Sequence, residues 1–241
     1  MKDHISDILM RGRWFSELPE NLRTYLINQG VLKHLQPGQR LFSRGDAPDG
    51  MFACISGTIQ VAGSGRVGQE DKQTILTLID PPDWFGEICL FDGQPRTHDA
   101  TADTQATVLH VRQASFDMLL AERPQYWKDI GLLLTQKIRL MFGAMEDIAL
   151  LPTPTRLVRR LLQMAEGYGI RTKGTGMLGM RTLNVSQEKL SAILAISRQT
   201  TNQILKQLEG EGLIELHRGT IEILDFNGLR NKADQVPQQQ L

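Results

Sequence analysis

The stretch Arg123–Leu151, RPQYWKDIGLLLTQKIRLMFGAMEDIALL, decides how the chain is organised. Its apolar residues Ile130, Leu134, Ile138, Met141, Met145 and Ile148 recur at steps of four, four, three, four and three. That spacing holds one stripe on one side of a helix, close to the 3.5-residue period of a coiled-coil seam. At about 1.5 Å per residue the rod is about 42 Å long. Pro124 suits a first helical turn, and Pro152 and Pro154 stop the helix. Such a rod either lies on the core of its own domain or joins two copies of the chain, and the flanks bear on which.

The 241 residues suffice for two modest domains. A hydrophobic content of 41% and a charged content of 22% are those of an ordinary globular chain. Cys54 and Cys89 make neither a disulfide framework nor metal-ligand spacing. The first thirteen residues carry no apolar signal region, and no run approaches the length of a membrane span. A cytoplasmic protein with no membrane partner is expected. Net charge is zero, but it is divided unevenly. Residues 1–151 carry 15 Lys+Arg against 19 Asp+Glu, a net of −4, whereas residues 152–241 carry 12 against 8, a net of +4. The basic part points weakly to an anionic partner.

Before the rod, residues 1–30 read as short packing helices divided at Pro19. From Val31 to Val111 short apolar stretches alternate with Gly and Pro turns, the pattern of an antiparallel barrel or sandwich, with a glycine-rich hairpin tip at 63–73. Ser115–Arg123 returns to helix. Beyond the rod, Thr155–Tyr168 is an amphipathic helix with Leu157, Leu161, Leu162 and Ala165 inward, and Arg171–Arg181 is a basic, glycine-rich loop or hairpin.

Ser186–Glu209 is the most specific segment. Ser186 caps a helix with Leu190, Ile193 and Leu194 inward, Ala195-Ile196 forms a tight turn, and Ser197 caps a second helix with Thr201, Ile204, Leu205 and Leu208 inward. Two short helices on a tight turn make a helix-turn-helix. The outer face of the second presents Arg198, Gln199, Asn202, Gln203 and Lys206. Arginine can bond a guanine edge through two nitrogens and glutamine can do the same to adenine, so this face suits the major groove of double-stranded DNA. Ser197 and Thr200 would hold phosphate at the helix start. A hairpin at His217-Arg218-Gly219-Thr220 supplies a wing able to touch the backbone through His217, Arg218 and Thr220. A plain helical hairpin with a solvated face is the bland alternative.

Asn184–Ile223 resembles the winged helix-turn-helix of the CRP/FNR family of bacterial transcription regulators, with Ser-Arg-Gln-Thr at 197–200 similar to that family's Ser-Arg-Glu-Thr. The resemblance covers nearly the whole chain. It implies an α+β protein of two domains: an N-terminal antiparallel, jelly-roll-like β-roll sensor with its helices (1–122), a dimerisation helix (123–151), a hinge (152–155), a DNA-reading domain (156–231) and a disordered tail (232–241). By the same resemblance Arg198 reads a guanine while Ser197 and Thr200 hold phosphates. Two departures matter. Gln199 replaces a frequent glutamate, which shifts the preferred base from cytosine toward adenine. Ala195 stands where a turn glycine is common, a strain if its backbone is left-handed.

A second signal lies in Trp84-Phe85-Gly86-Glu87 followed by Arg96-Thr97. Arg96 suits a bidentate phosphate clamp, Gly86 lets backbone approach an anion, and Glu87 can accept from a sugar hydroxyl while pairing with the arginine. A surface Glu–Arg pair is the bland alternative. The order resembles the phosphate-binding cassette of cyclic-nucleotide-binding domains, which implies that Gly86, Glu87, Arg96 and Thr97 bind ribose and cyclic phosphate. His98 stands where the cassette has alanine and Cys89 where it has a small residue, so the seat is reshaped or blocked. Residues 1–30 hold no cysteine, so an iron–sulfur cluster is not expected. Haem would need His34, His98 or His110 as axial ligand, and it too is not expected. Where cAMP-responsive relatives place two hydroxyl residues on the rod, this chain has Met141 and Phe142, so a weak or absent cAMP response is expected. Cyclic di-GMP, another cyclic nucleotide, another small anion, or no effector remain open.

The reading is a homodimeric, sequence-specific regulator of an imperfect palindrome, working with RNA polymerase; Arg171 and Lys173 either face the polymerase or belong to a solvated basic loop. The alternatives are a cyclic-nucleotide-binding module acting on a protein partner and an effector-independent DNA-binding regulator. No nucleophile elbow, metal spacing or P-loop is present, so an enzyme is not expected.

Overall fold

A computed structural model describes residues 2–67, 70–167 and 182–234. The chain divides into two compact units, with the boundary between Lys137 and Ile138.

The first unit opens with three helices, α1 (Lys2–Leu9), α2 (Arg13–Glu17) and α3 (Glu20–Gln29). Eight strands follow: β1 (Val31–Leu35), β2 (Arg40–Phe42), β3 (Gly50–Ser56), β4 (Ile59–Val67), β5 (Glu70–Ile79), β6 (Trp84–Phe85), β7 (Asp99–Ala102) and β8 (Ala106–Arg112), with helix α4 (Ile88–Asp92) between β6 and β7. They form two antiparallel sheets in the orders β1-β8-β3-β6 and β2-β7-β4-β5. The glycine-rich segment expected as a hairpin tip is largely ladder, because β4 and β5 stay paired out to Val67 and Glu70.

The unbroken apolar run of β3 has a physical cause. Met51, Ala53 and Ile55 pack with the N-terminal helices, while Phe52 and Cys54 point into the space between the sheets. β8 divides in the same way, with Leu109 and Val111 on one side and Ala106 and Val108 on the other. A strand covered on both faces loses its polar alternation. The N-terminal helices are thus part of the main core: Leu9, Phe15, Leu22 and Leu26 are at most 1% exposed. Each such burial contributes about 1.5–3 kcal/mol. Trp14 and Phe15 close on Trp84, and the Trp14 indole donates to the Asp129 carbonyl at 2.7 Å.

α5 (Gln113–Glu122) leads to α6 (Tyr126–Leu150). The rod starts three residues later than its first expected residue. Arg123 is non-helical, and the chain enters through tight turns onto the carbonyls of Arg123, Pro124 and Gln125. Ile130 and Leu133 are buried in the first unit's core, whereas Ile138, Met141, Phe142, Met145 and Ile148 are exposed. The first part of the stripe lies on the core of its own domain, and the later part is exposed. Leu150 ends the helix. Pro152 then caps α7 (Thr153–Ala165) and Pro154 sits in its first turn, so only Leu151-Pro152 separates the two helices.

In the second unit α7 buries Leu157, Val158, Leu161, Leu162 and Ala165. β9 (Thr182–Leu183), α8 (Gln187–Leu194), α9 (Arg198–Gly210), β10 (Ile214–His217) and β11 (Thr220–Ile223) follow, with sheet order β10-β11-β9. The basic loop with Arg171 and Lys173 lies outside the described residues. One expectation is corrected. Lys232–Asp234, read as the start of a disordered tail, end a helix, α10 (Phe226–Asp234), that packs on α7. Its start is capped by Asp225, whose carboxylate accepts from the Gly228 amide at 3.0 Å, and Leu229 and Ala233 are buried one turn apart. No helix among the described residues is long and apolar enough to cross a membrane.

Candidate functional site

The helix pair of the second unit is built by its caps. Ser186 Oγ accepts from the Lys189 amide at 3.2 Å, and Ser197 Oγ accepts from the Thr200 amide at 3.0 Å. Between them Ala195 takes φ 53° and ψ 43°, the left-handed conformation that a glycine would adopt without strain. Thr201, Ile204, Leu205 and Leu208 face the core, which turns the other side of α9 outward. Arg198, Gln199, Asn202, Gln203 and Lys206 are exposed there. Arg198 is 71% exposed and lies 3.8 Å from Glu188 Oε1 on α8, a solvated pair that restrains it little. Lys206 Nζ bonds Glu209 at 2.7 Å, and that bond lowers the Glu209 pKa, helped by the Leu216 amide. The hydroxyls of Ser197 and Thr200 are 2.8 Å apart, so both belong to the cap.

The wing comes to the same place. His217 and Arg218 are exposed and Thr220 is half-buried around the turn at Gly219, and with Arg198 they line one cleft of about 260 Å³ that also includes Ser186 and Gln187. Helix start and wing therefore form one surface. Glu188, an acid on that surface, gave no signal in the sequence beyond being a polar residue of α8.

In the first unit the segment Gly86–Arg96 is organised around a buried guanidinium. Arg96 is 3% exposed and lies over the Phe42 ring at 4.5 Å and the Phe52 ring at 5.5 Å. Its Nη2 donates to Asp49 Oδ1 at 2.5 Å and to the Gly50 carbonyl at 2.6 Å, and its Nη1 donates to the Gly86 carbonyl at 3.0 Å. Nε has no hydrogen-bond partner among the described residues. Gly86 has φ +88°, and a Cβ there would stand 2.8 Å from Arg96 Nη1, so both conformation and space require glycine. The guanidinium placed this way keeps one uncommitted buried donor rather than a free two-pronged fork.

Glu87 does not pair with Arg96. It is 2% exposed, and its carboxylate accepts from Lys137 Nζ of α6 at 2.7 Å. A buried carboxylate needs a cation, and Lys137 supplies it from fifty positions along the chain. Thr97 is exposed, with its hydroxyl 2.9 Å from His98 Nδ1. The structure therefore gathers Gly86 and Arg96 directly and sets Glu87 beside them on a different partner, with Thr97 on the rim. Asp49 and Lys137 are members of this site that local sequence patterns cannot show.

Titration follows from the same packing. Burial, and then the charge of Arg44, push His98 below the usual imidazole value against the pull of Asp99. Burial also lowers His110, opposed by its bond to the Asp49 carbonyl and helped by Lys33. His110 stacks on Phe52 at 4.4 Å and donates from Nε2 to that carbonyl at 2.9 Å. Burial raises the Cys89 thiol, partly offset by Arg96. Burial, reinforced by Asp80 and Asp83, raises Cys54 strongly.

Comparison with known proteins agrees with this division. Residues 32–123 match the cyclic nucleotide-binding domain and residues 155–232 match the Crp-like helix-turn-helix domain. The chain is 29% identical over 208 residues to the CRP-like cAMP-activated global transcriptional regulator of Mycobacterium tuberculosis (strain CDC 1551 / Oshkosh), covering 84% of this chain and 90% of that one. In fold it is similar to FixK2 from Bradyrhizobium japonicum, with TM-score 0.72, 14% identity and coverage of 86% and 98%. It is also similar to the c-di-GMP responsive global regulator CLP of Xanthomonas campestris, with TM-score 0.65, 18% identity and coverage of 86% and 100%. With a cyclic nucleotide-binding domain ahead of a Crp-like reading head, the chain belongs to the CRP/FNR family of transcription regulators.

Proposed function

We propose that the protein is a cytoplasmic homodimer that binds an imperfect DNA palindrome, with RNA polymerase as its further partner. The observation that carries the DNA reading is the exposed face Arg198, Gln199, Asn202, Gln203 and Lys206, presented from the Ser197 cap beside His217, Arg218 and Thr220. Two such faces on a two-fold axis match half-sites about one helical turn apart. Ser197 and Thr200 hold phosphate at the helix start, and Arg198 reads a guanine edge. Arg198→Ala is expected to cost roughly 1–3 kcal/mol of operator affinity and to relax preference at one base. Titration of operator variants by fluorescence anisotropy checks this, and an unchanged base preference would refute the assignment. Binding to random duplex should weaken steeply with salt. Salt-independent behaviour would favour a module acting on a protein partner.

In the first unit Gly86, Glu87, Arg96 and Thr97 are the proposed seat for a small anionic effector, with Arg96 Nε as the donor that remains to be satisfied. Lys137 binds Glu87, so an effector that engages Glu87 acts on α6 directly. Met141 and Phe142 offer no hydrogen bond to a purine edge, and the relative's response to cAMP is therefore not carried over. Calorimetry against cAMP, cGMP and cyclic di-GMP is the test. The expected outcome is weak or no heat with cAMP. Micromolar cAMP binding together with cAMP-dependent operator binding would overturn this. An identical trace from folded Arg96→Ala would remove Arg96 from the seat.

A further inference from the structure

The solvent face of the wing carries two carboxylates, beside His217, that DNA reading leaves unexplained. In the β10–β11 ladder Glu215 stands directly opposite Glu222. Two like charges at one cross-strand position repel, so the pair destabilises the bare hairpin. His217 follows Glu215 by two residues and shares its face, since side chains alternate along a strand. His217 Nε2 is 3.9 Å from Glu215 Oε1 and 3.7 Å from Glu222 Oε2. Both distances are too long for hydrogen bonds. Yet one ligand atom from each of the three residues lies within 4.8 Å of the others. Two carboxylates and one imidazole therefore converge on the same face of the hairpin. Zinc takes imidazole nitrogen and carboxylate oxygen at about 2.0–2.2 Å, so two ligands on one tetrahedral ion stand about 3.4 Å apart. The imidazole stands within a few tenths of an ångström of that separation from each carboxylate, and rotation of the partly exposed glutamates brings the two carboxylates to it.

We propose that Glu215, His217 and Glu222 bind one divalent transition-metal ion of the zinc class, with a coordination position left open to solvent. The mixed nitrogen and oxygen set favours such an ion over calcium or magnesium, which take oxygen alone. All three side chains are partly exposed, so the ion enters from solvent without opening the fold. Its charge cancels the two carboxylates of the wing whose His217 and Arg218 line the cleft containing Arg198. The open position accepts a phosphate oxygen when the wing meets the DNA backbone. This last consequence rests on the DNA-binding reading above, whereas ion binding itself does not.

The test uses the full chain, stripped of metal with a chelator and titrated without DNA. Zn²⁺ is expected to bind at one ion per chain. Co²⁺ is expected to give a visible spectrum without a thiolate charge-transfer band. His217→Gln and Glu222→Gln should each weaken Zn²⁺ about tenfold or more with unchanged circular dichroism, and Cys89→Ser should leave it unaltered. Equal Zn²⁺ affinity in the parent and both variants overturns the site, as does a thiolate band that Cys89→Ser removes. The titration contains no DNA, so failure of the regulator reading cannot mimic either result. In a second arm, Zn²⁺ should raise the duplex affinity of the parent and not of Glu222→Gln. Indifference of the parent to Zn²⁺ overturns the phosphate contact.

Discussion

Ala195 shows how one residue records a local constraint. The tight turn between α8 and α9 needs a left-handed residue, and the chain places there a side chain that pays for it in strain. That conformation costs a non-glycine residue about 1–2 kcal/mol, while glycine gives back about 0.4–1 kcal/mol through the entropy of the unfolded chain. Ala195→Gly should therefore stabilise the second unit by roughly 0.5–1 kcal/mol. A higher denaturation midpoint with unchanged slope is the expected result, and a lower midpoint would show the turn to be relaxed as it stands. Arg96 makes the opposite point. The sequence shows an arginine ten residues after a glycine, but Asp49 and two carbonyls claim both of its terminal nitrogens. Which donor stays uncommitted follows from packing around the guanidinium, and no local pattern reveals it.

At the scale of elements, α6 is one helix with two environments. Its first turns bury Ile130 and Leu133, and the Trp14 indole anchors them through Asp129. Its last turns leave Met141 at 64%, Met145 at 62% and Ile148 at 67% exposure. Exposed apolar side chains at coiled-coil spacing support a seam against a second copy. Met145→Glu together with Ile148→Glu should shift the proposed dimer toward monomer in sedimentation equilibrium while circular dichroism stays constant, because both side chains are exposed in their own chain. A double variant that stays dimeric would place the interface elsewhere. The caps and the apolar spacing made this helix, α7, α8 and α9 legible beforehand. α10 was missed although Asp225, Leu229 and Ala233 carried its signal, because polar and glycine residues between them suggested a tail.

For the whole molecule, pH dependence follows from the first unit. His98 and His110 are both held below the usual imidazole value, each chiefly by burial. An unfolded chain takes up protons on these groups near pH 6.5, whereas the folded chain resists until lower pH. More protons are then bound to the unfolded state, and stability declines as pH falls through about 6.5 toward the lower folded values. Urea denaturation at about pH 7.5 and pH 5.5 should show the first unit less stable at the lower pH, in a window above the carboxylate range. His110→Gln should reduce the difference, and a flat profile in the parent would contradict the burial of these rings.

Periodicity, caps and turn residues by themselves determined helices α6 to α9, the strand-and-turn character of residues 31–111 and the outer face of α9. Each of these depends on residues within a few positions of one another, where helix and strand geometry alone fixes which side chains share a face. Only tertiary structure decided the partners of Arg96 and Glu87, the split environment of the rod, and the convergence of Glu215, His217 and Glu222. Asp49 lies 47 positions from Arg96 and Lys137 lies 50 from Glu87. Even on the wing, the facing of Glu215 and Glu222 is a matter of strand register. Such pairings arise when a buried charge must find its counter-charge wherever the fold brings one, and spacing along the chain carries no trace of that requirement.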